Sequence, residues 1–158
     1  MNKILIVTGP VKSFKTTKLA EWASGKNDVL GILQPVINNK RYIKNLSDNK
    51  IKMLEMDSGV TEENIIEVGN YRFDAQVLKW AQNELTKAAK LNPAWLIIDE
   101  YGKLELDGRG LEPAISGIIG RSGKMNSTQL IIVVRDYLLQ KFLNKFKLTK
   151  DDYAFLDL

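Results

Sequence analysis

The stretch of sequence that decides the fold is Ile4-Leu-Ile-Val-Thr-Gly-Pro-Val-Lys-Ser-Phe-Lys-Thr-Thr17. Its first four residues are apolar and partly β-branched, which is typical of a short buried strand. A Gly-Pro turn follows, and residues 16–24 carry apolar side chains at helical spacing. A strand, a tight turn and a helix in this order form an anion site, because the free N–H groups of the first helical turn face the turn.

Three residues of the turn match the phosphate-loop pattern G-x-x-x-x-G-K-[ST]: Gly9, Lys15 and Thr16. In this motif the lysine meets the β- and γ-phosphates of a nucleotide, and the Ser or Thr hydroxyl ligates Mg²⁺. We therefore expect Lys15 and Thr16 to take these roles, with the backbone amides of residues 11–16 around the phosphates. A Lys- and Thr-rich turn that merely enters a helix is the alternative interpretation.

Phe14 stands where the pattern has its second glycine. A glycine there lets phosphate approach the backbone and tolerates a positive φ, which a bulky side chain resists. If Phe14 adopts that conformation, strain of roughly 1–3 kcal/mol weakens nucleotide binding by about one to two decades. If the loop bends differently, it binds no triphosphate, and the sequence leaves both outcomes open.

A second motif is the apolar run Trp95–Ile98, which ends in two carboxylates, Asp99 and Glu100. The carboxyl end of a parallel strand borders the ligand crevice, so we expect this pair beside the loop after the first strand. Asp99 is expected to hold Mg²⁺ directly or through water. Glu100 is expected to orient and deprotonate an attacking water. An exposed acidic turn looks the same on its own, but the lysine loop favours the catalytic interpretation.

Two arginines are candidates for stabilising charge on a transferring phosphoryl group. Arg135 follows the apolar run of residues 129–134 and is expected at the same sheet edge. Arg121, just before Ser122-Gly123, is the second candidate. A surface salt bridge is the alternative role for either of them.

Apolar patterns along the rest of the chain predict strands that alternate with helices. One strand is expected over residues 29–37, and a turn at residues 47–50 joins two more, so residues 29–56 are interpreted as an antiparallel hairpin insertion. Asp74 is expected to cap a helix over residues 75–91. Further helices are expected around residues 111–119 and 139–146, and further strands over residues 95–98, 129–134 and 153–156. The prediction is a single α/β domain over residues 1–158, with a mainly parallel sheet flanked by helices.

Composition narrows the chemistry, because the 158 residues include no Cys and no His. Disulfides, thiolate metal sites, thiol nucleophiles and His-based triads are therefore excluded. Any metal should be a hard, oxygen-loving ion such as Mg²⁺. The net charge of +4 suits a protein that holds a polyphosphate.

The positions of the charged and apolar runs indicate the location of the protein and its macromolecular partners. Lys-rich runs at residues 40–52 and 141–150 are interpreted as solvated faces, so nucleic-acid binding is not expected. The apolar runs are of strand length, so no membrane span is expected and a cytoplasmic location is the default. The sequence does not indicate an oligomeric state.

Residues 99–106, Asp-Glu-Tyr-Gly-Lys-Leu-Glu-Leu, resemble the D-E-I-G-K-M-E-L signature of a small nucleoside-triphosphatase family found in thermophiles and mammals. Other landmarks occur in the same order: the TGP-led loop ending in KTT, the segment Gly31-Ile-Leu and the segment Val68-Gly-Asn-Tyr71. The resemblance covers roughly residues 3–136. The loop departs from the family pattern at Phe14 and at residues 11–13.

This resemblance implies a P-loop α/β domain that hydrolyses nucleoside triphosphates of the ATP or GTP class to diphosphates, with Mg²⁺ as cofactor. It gives phosphate-loop roles to Gly9, Lys15, Thr16 and Thr17, but no firm role to Lys103 and Glu105. Taken with the motifs above, the nucleotide-binding candidates are Gly9, Pro10, Val11, Lys12, Ser13, Phe14, Lys15, Thr16 and Thr17. The metal candidates are Thr16 and Asp99, and the catalytic candidates are Lys15, Glu100 and Arg135.

Two other functions stay open at this point. A small-molecule or nucleotide kinase uses the same parts, but it requires an acceptor pocket and a mobile basic lid, and the sequence has no clear lid. A non-catalytic nucleotide sensor or interaction module keeps the fold with a weakened phosphate loop, and Phe14 is the residue that favours it.

Overall fold

Strands and helices alternate along the chain in the computed structural model, which describes residues 3–10, 14–57, 64–125 and 127–158. The strands are β1 (Ile4–Val7), β2 (Val29–Leu33), β3 (Val36–Ile37), β4 (Lys40–Asn45), β5 (Ile51–Met53), β6 (Ile65–Val68), β7 (Tyr71–Asp74), β8 (Trp95–Tyr101), β9 (Gln129–Val134) and β10 (Tyr153–Phe155). The helices are α1 (Lys15–Ser24), α2 (Ala75–Lys90), α3 (Lys103–Leu106), α4 (Ala114–Arg121) and α5 (Leu139–Lys145). Short 3₁₀ helices cover Ser122–Lys124 and Asp136–Leu138.

The main sheet has the strand order β10-β1-β9-β8-β2-β4-β3, with β5 paired to β4. All pairings from β10 to β2 are parallel, which confirms the predicted mainly parallel sheet. Alternate side chains of these strands enter two apolar layers, because successive residues of a strand point to opposite faces. Ile6, Ile98 and Ile132 pack with α2, α4 and α5 on one face. Val7 and Ile131 pack with Leu19 of α1 on the other.

The antiparallel insertion is present, but it begins later than the sequence pattern predicts. The prediction of one strand over residues 29–37 is wrong: β2 pairs in parallel with β8 and ends two residues before β3 begins. Pro35 lies between the two strands, since it has no N–H to donate to a neighbouring strand. Its carbonyl instead accepts a hydrogen bond from the Tyr42 N–H at 2.9 Å, which starts the antiparallel part.

The remaining predicted elements are confirmed within a few residues at their ends. The Asp74 carboxylate accepts a hydrogen bond from the Gln76 N–H at 2.9 Å and so caps α2 as predicted. Apart from the short 3₁₀ helices, the β6–β7 hairpin and the one-turn helix α3 were missed. Both are too short to show a periodic apolar pattern, and the turn between β6 and β7 depends on Gly69 at φ 57°.

Gly31 fixes how closely β2 and β8 approach. Its φ is 120°, and a Cβ built at this position would lie 2.0 Å from the carbonyl oxygen of Ile97. Only glycine fits, because any side chain would strike the backbone of the neighbouring strand. The close pairing matters for the site, because β2 leads into Gln34 and β8 carries Asp99 and Glu100.

We predict that Gly31→Ala lowers the free energy of unfolding by about 3 kcal/mol or more, because the new methyl group forces β2 away from β8. Urea denaturation followed by circular dichroism measures this change. The matched control is Gly117→Ala on the exposed face of α4, where a Cβ meets nothing within 4 Å. The control should raise stability by up to about 1 kcal/mol, since alanine favours the helix. Equal effects of the two substitutions would contradict the account of Gly31.

Candidate functional site

The candidate site lies where β1, β8 and β9 end and α1 begins. These strands are parallel, so their carboxyl ends share one sheet edge. The turn after β1 runs past Gly9 and Pro10 toward Lys15, the first residue of α1. Three of the predicted phosphate-binding residues, Val11, Lys12 and Ser13, lie outside the described residues.

Lys15 folds back over the turn that precedes it. Its ammonium group donates hydrogen bonds to the carbonyl oxygens of Gly9 at 3.2 Å and Pro10 at 3.0 Å. The cation therefore stays within the turn in the protein alone. Thr17, in the first turn of α1, is exposed to solvent.

Phe14 adopts the backbone conformation that the phosphate-loop pattern reserves for glycine. Its φ and ψ are 59° and 32°, in the left-handed region, and it forms the N-cap of α1. A non-glycine residue in this region costs about 1–2 kcal/mol. The side chain is 72% exposed, so it points away from the apolar layers. Of the two outcomes left open by the sequence, the described backbone has the first, a strained residue in the glycine conformation.

Asp99 connects β8 to α1 and to the residue after β2. Its Oδ2 atom accepts hydrogen bonds from the Thr16 hydroxyl at 2.7 Å and from the Gln34 N–H at 3.0 Å. The residue is 1% exposed, and its burial, together with the nearby charge of Glu100, raises the pKa of Asp99 to about 6. These contacts hold the carboxylate in a fixed position next to the phosphate loop.

The route by which Asp99 reaches the loop differs from the sequence expectation. β9 lies between β1 and β8, so the acidic pair does not border the turn after β1 along the sheet. The Thr16 side chain at the start of α1 spans the distance instead. Gln34 was missed, because its contact comes from a backbone N–H that any residue type offers.

The oxygen atoms of Thr16 and Asp99 suit a hard cation. No group of three or more Asp, Glu, His or Cys side chains able to hold a metal occurs within the described ranges. Mg²⁺ sites in nucleotide-binding proteins commonly use one or two protein oxygens, with phosphates and waters as the remaining ligands. A hydroxyl and a carboxylate 2.7 Å apart therefore fit Mg²⁺ bound together with a nucleotide.

Glu100 lies between two arginines. Its Oε1 atom accepts hydrogen bonds from Arg135 Nε at 3.1 Å, from Arg135 Nη2 at 2.8 Å and from Arg41 Nη1 at 3.1 Å. A bulge in β8 places Glu100 here, since Asp99 pairs with Val133 and Tyr101 with Val134. The side chains of all three charged residues are at most 24% exposed, which strengthens their attraction.

The two arginines have different origins in the sequence. Arg135 follows β9 at the sheet edge, where the sequence predicts it. Arg41 lies on β4 in the antiparallel insertion and was missed, because a single arginine among lysines carries no motif.

Arg121, the other candidate, is exposed at the end of α4 and does not reach the site. It lies toward the opposite edge, where its neighbours Ser122 and Gly123 share a cavity with Ile4 at the start of β1.

Glu105 joins the two ends of the loop that follows β8. Its Oε1 atom accepts a hydrogen bond from the Gly102 N–H at 2.9 Å, and its Oε2 atom accepts one from the Leu111 N–H at 2.8 Å. Gly110 makes room, because a Cβ there would lie 1.8 Å from Oε2. Burial raises the pKa of Glu105 to about 7. Glu105 therefore has a structural role, while Lys103 lies exposed with its ammonium group 5.9 Å from the centre of the Tyr137 ring.

A cleft of about 210 Å³ opens beside Glu100 and extends to the β6–β7 hairpin. Its charged and polar lining consists of Gln34, Arg41, Asn70, Glu100, Lys103, Glu105 and Arg135. Its apolar and aromatic lining includes Leu54, Val68, Tyr71, Phe73, Leu78, Leu104 and Tyr137.

A parallel sheet with this strand order, a Lys-Thr turn after β1 and an Asp-Glu pair on β8 define the class of the P-loop nucleoside triphosphatases. The fold is also similar to those of solved structures. A human cancer-related nucleoside triphosphatase matches with a TM-score of 0.67 and 17% identity, over 99% of this chain and 88% of that one. THEP1 from the hyperthermophile Aquifex aeolicus matches with a TM-score of 0.59 and 17% identity, over 99% and 89%.

The sequence assigns the chain more closely. The profile of the family described as NTPase matches residues 4–156, so the chain belongs to this NTPase family. Among curated protein sequences, none matches the chain significantly. Membership of the family supports hydrolysis of nucleoside triphosphates as the general activity.

We predict that the stability conferred by Glu105 depends on pH. Its pKa is raised to about 7 in the folded protein from 4.5, so the unfolded chain loses this proton at lower pH than the folded protein. Between these two values the folded protein binds more protons, and the free energy of unfolding falls as pH rises. The free energy of unfolding of the wild type minus that of Glu105→Gln should therefore fall from pH 5 to pH 8, because the glutamine does not titrate. Urea denaturation at each pH measures both values.

The control for this prediction is Glu21→Gln, a substitution of an exposed glutamate on α1. It should show no comparable pH dependence. If the free energy of unfolding of the wild type minus that of Glu105→Gln stays constant or rises with pH, Glu105 is not the titrating group.

Proposed function

We propose that the protein hydrolyses nucleoside triphosphates to diphosphates in an Mg²⁺-dependent reaction, by in-line attack of water on the γ-phosphorus. The observation that carries this proposal is the 2.7 Å hydrogen bond from the Thr16 hydroxyl to Asp99. It brings the phosphate loop and the acidic pair of β8 to one place, although 83 positions separate the two residues in the sequence. Phosphoryl transfer depends mainly on positioning and charge stabilisation, which this arrangement offers without Cys or His.

In this proposal the loop holds the triphosphate. Lys15 leaves the carbonyl oxygens of Gly9 and Pro10 to contact the β- and γ-phosphates, which are far stronger acceptors than a peptide carbonyl. Backbone amides between Gly9 and Thr17 surround the phosphates, with Val11, Lys12, Ser13 and Phe14 included on sequence grounds. Thr16 and Asp99 are the residues that would hold Mg²⁺, which neutralises charge on the phosphate oxygens when bound.

Glu100 is the proposed general base. It orients the attacking water and takes its proton, and its second oxygen, Oε2, is the atom available for this task while Oε1 accepts from the arginines. Arg135 stabilises the charge that develops on the transferring phosphoryl group, since its guanidinium group has five donors and uses two of them on Glu100. Arg41, on β4 of the antiparallel insertion, holds Glu100 in place through the same oxygen atom, Oε1.

The backbone at Phe14 favours binding over the sensor alternative. Phe14 already has the left-handed conformation in the protein alone, so the presence of Phe where the pattern has glycine does not force the backbone onto a different path at this position.

No helix within the described ranges is long and apolar enough to cross a membrane. The cytoplasmic location stays a prediction.

We predict that Lys15→Ala and Glu100→Gln each lower the rate of phosphate release by about 100-fold or more, since each removes a group that acts on the transition state. A malachite-green assay with ATP, GTP, CTP and UTP in the presence of Mg²⁺ measures the release. Lys18→Ala, a substitution of an exposed lysine one turn along α1, is the control and should retain wild-type turnover. Equal release from wild type and both site variants, each folded by circular dichroism, would refute the mechanism.

We predict that Phe14→Gly stabilises the fold more than it strengthens nucleotide binding. The strain is present before nucleotide arrives, so the weakening of nucleotide binding expected from the sequence does not follow from it. Relief of the strain should instead raise the free energy of unfolding by about 1 kcal/mol. The Kd for a non-hydrolysable ATP analogue should change by less than about threefold, because free and bound states gain equally. Calorimetric titration and urea denaturation measure the two quantities. A tenfold gain in affinity without a gain in stability would mean that the loop must rearrange to bind.

A further inference from the structure

The antiparallel insertion ends in a strand that has a neighbour on one side. Within the described ranges, β5 pairs with β4 and with no other strand. The Asn45 N–H donates a hydrogen bond to the Lys50 carbonyl oxygen at 2.9 Å. Because hydrogen-bonded pairs alternate along an antiparallel ladder, the backbone groups of Ile51 and Met53 point away from β4. Residues 50–53, which we call the β5 edge, therefore offer these backbone groups to a further strand.

The side chains of Ile51 and Met53 lie on the uncovered face of the insertion. Met53 is opposite Tyr42 and Ile51 is opposite Lys44, and directly opposite residues share a face of the sheet. The other face carries Ile43, which is fully buried in the core with α2. Ile51 and Met53 are each 46% exposed, so the β5 edge presents an apolar surface beside its free backbone groups.

Lysines alternate with these apolar residues. Lys50 and Lys52 flank Ile51 in the chain and therefore project from the face of the sheet that carries Ile43. Both lysines are exposed, and no salt bridge engages either of them in the part of the chain that the structure describes. The β5 edge thus combines an apolar face with a cationic face.

These lysines disfavour a second copy of this chain as the antiparallel partner of the β5 edge. Such a partner strand pairs through the outward backbone groups, so Ile51 meets either Ile51 or Met53 of the other copy. The first register places Lys50 opposite Lys52 of the other copy, and the second places Lys52 opposite Lys52. Like charges directly opposite one another destabilise a strand pair. An acidic strand has the opposite effect, because each of its carboxylates faces a lysine.

We propose that the β5 edge binds an extended segment of another protein in which acidic residues alternate with apolar residues. The backbone of the segment continues the sheet through hydrogen bonds to Ile51 and Met53, and its apolar side chains pack beside theirs. Its carboxylates face Lys50 and Lys52 on the other side of the strand. In this mode of recognition the main chain supplies affinity and alternate side chains supply specificity. The proposal does not depend on the proposed hydrolysis.

The first test measures binding of two short fluorescein-labelled peptides to the full chain by fluorescence polarisation. In one peptide Glu alternates with Val, and in the matched peptide Lys replaces every Glu. The Glu peptide should bind saturably and at least about tenfold more tightly than the Lys peptide, since charge complementarity selects between them. Lys15→Ala should bind the Glu peptide as the wild type does, because the phosphate loop takes no part. Absent binding, equal affinity for the two peptides, or loss of binding in Lys15→Ala overturns the proposal.

A charge reversal tests the lysines of the β5 edge. Lys52→Glu should weaken binding of the Glu peptide by about tenfold or more and should strengthen binding of the Lys peptide. The matched control is Lys141→Glu, a reversal at an exposed lysine of α5, which should leave both affinities unchanged. If the two reversals change the affinities equally, the peptide responds to net charge alone and the β5 edge is not its site.

A backbone substitution tests the strand pairing. Ile51→Pro removes an N–H that points away from β4, so the ladder of the insertion stays intact while the free edge loses a donor. It should weaken binding of the Glu peptide by about tenfold or more relative to Ile51→Thr, which keeps the N–H, with both variants folded by circular dichroism. Equal affinities of these two variants contradict strand addition. Sedimentation velocity should show the wild type as a monomer, and a dimer that Ile51→Pro dissociates would identify a second copy as the occupant and overturn the proposal.

Discussion

The hydrogen bond between the Thr16 hydroxyl and Asp99 is the contact on which the site depends. It links the first residues of α1 to the carboxyl end of β8 across the intervening strand β9, and the Gln34 N–H ties the same carboxylate oxygen to the end of β2. A carboxylate that is 1% exposed is costly to bury unless donors reach it, so these two donors make its position possible. The start of α1, the acidic pair and the residue after β2 are thereby held in one geometry.

The antiparallel insertion belongs to this geometry. Arg41 on β4 and Arg135 after β9 meet on one oxygen of Glu100, so residues far apart in the sequence fix the proposed base from two sides. The β6–β7 hairpin then closes the far side of the cleft with Tyr71 and Phe73. The insertion therefore supplies one arginine of the site, and the β6–β7 hairpin supplies one wall of the cleft.

Local signals in the sequence predicted much of the fold and several of the residues that the structure brings together at the candidate site. The phosphate loop, the Asp99–Glu100 pair, the Asp74 cap and the parallel strands all depend on neighbouring residues, whose spacing is visible in the chain. Arg41, Gln34 and the pairing of β2 with β8 depend on contacts between distant segments, which no local pattern encodes. Glu105 is another residue whose role the sequence does not indicate. Its place in the signature of residues 99–106 draws attention to it, but its structural role follows only from the hydrogen bonds that the Gly102 and Leu111 N–H groups donate to it.

The central claim is that Thr16 and Asp99 act as one unit in binding a nucleotide with Mg²⁺. A double-mutant cycle of Thr16→Val and Asp99→Asn tests it, with calorimetric titration of a non-hydrolysable ATP analogue in the presence and absence of Mg²⁺. Each single substitution should weaken Mg²⁺-dependent binding by about tenfold or more, and the double substitution should be little worse than either, since interacting residues are not additive. Additive losses, or affinities that do not respond to Mg²⁺ in the wild type, would contradict the account.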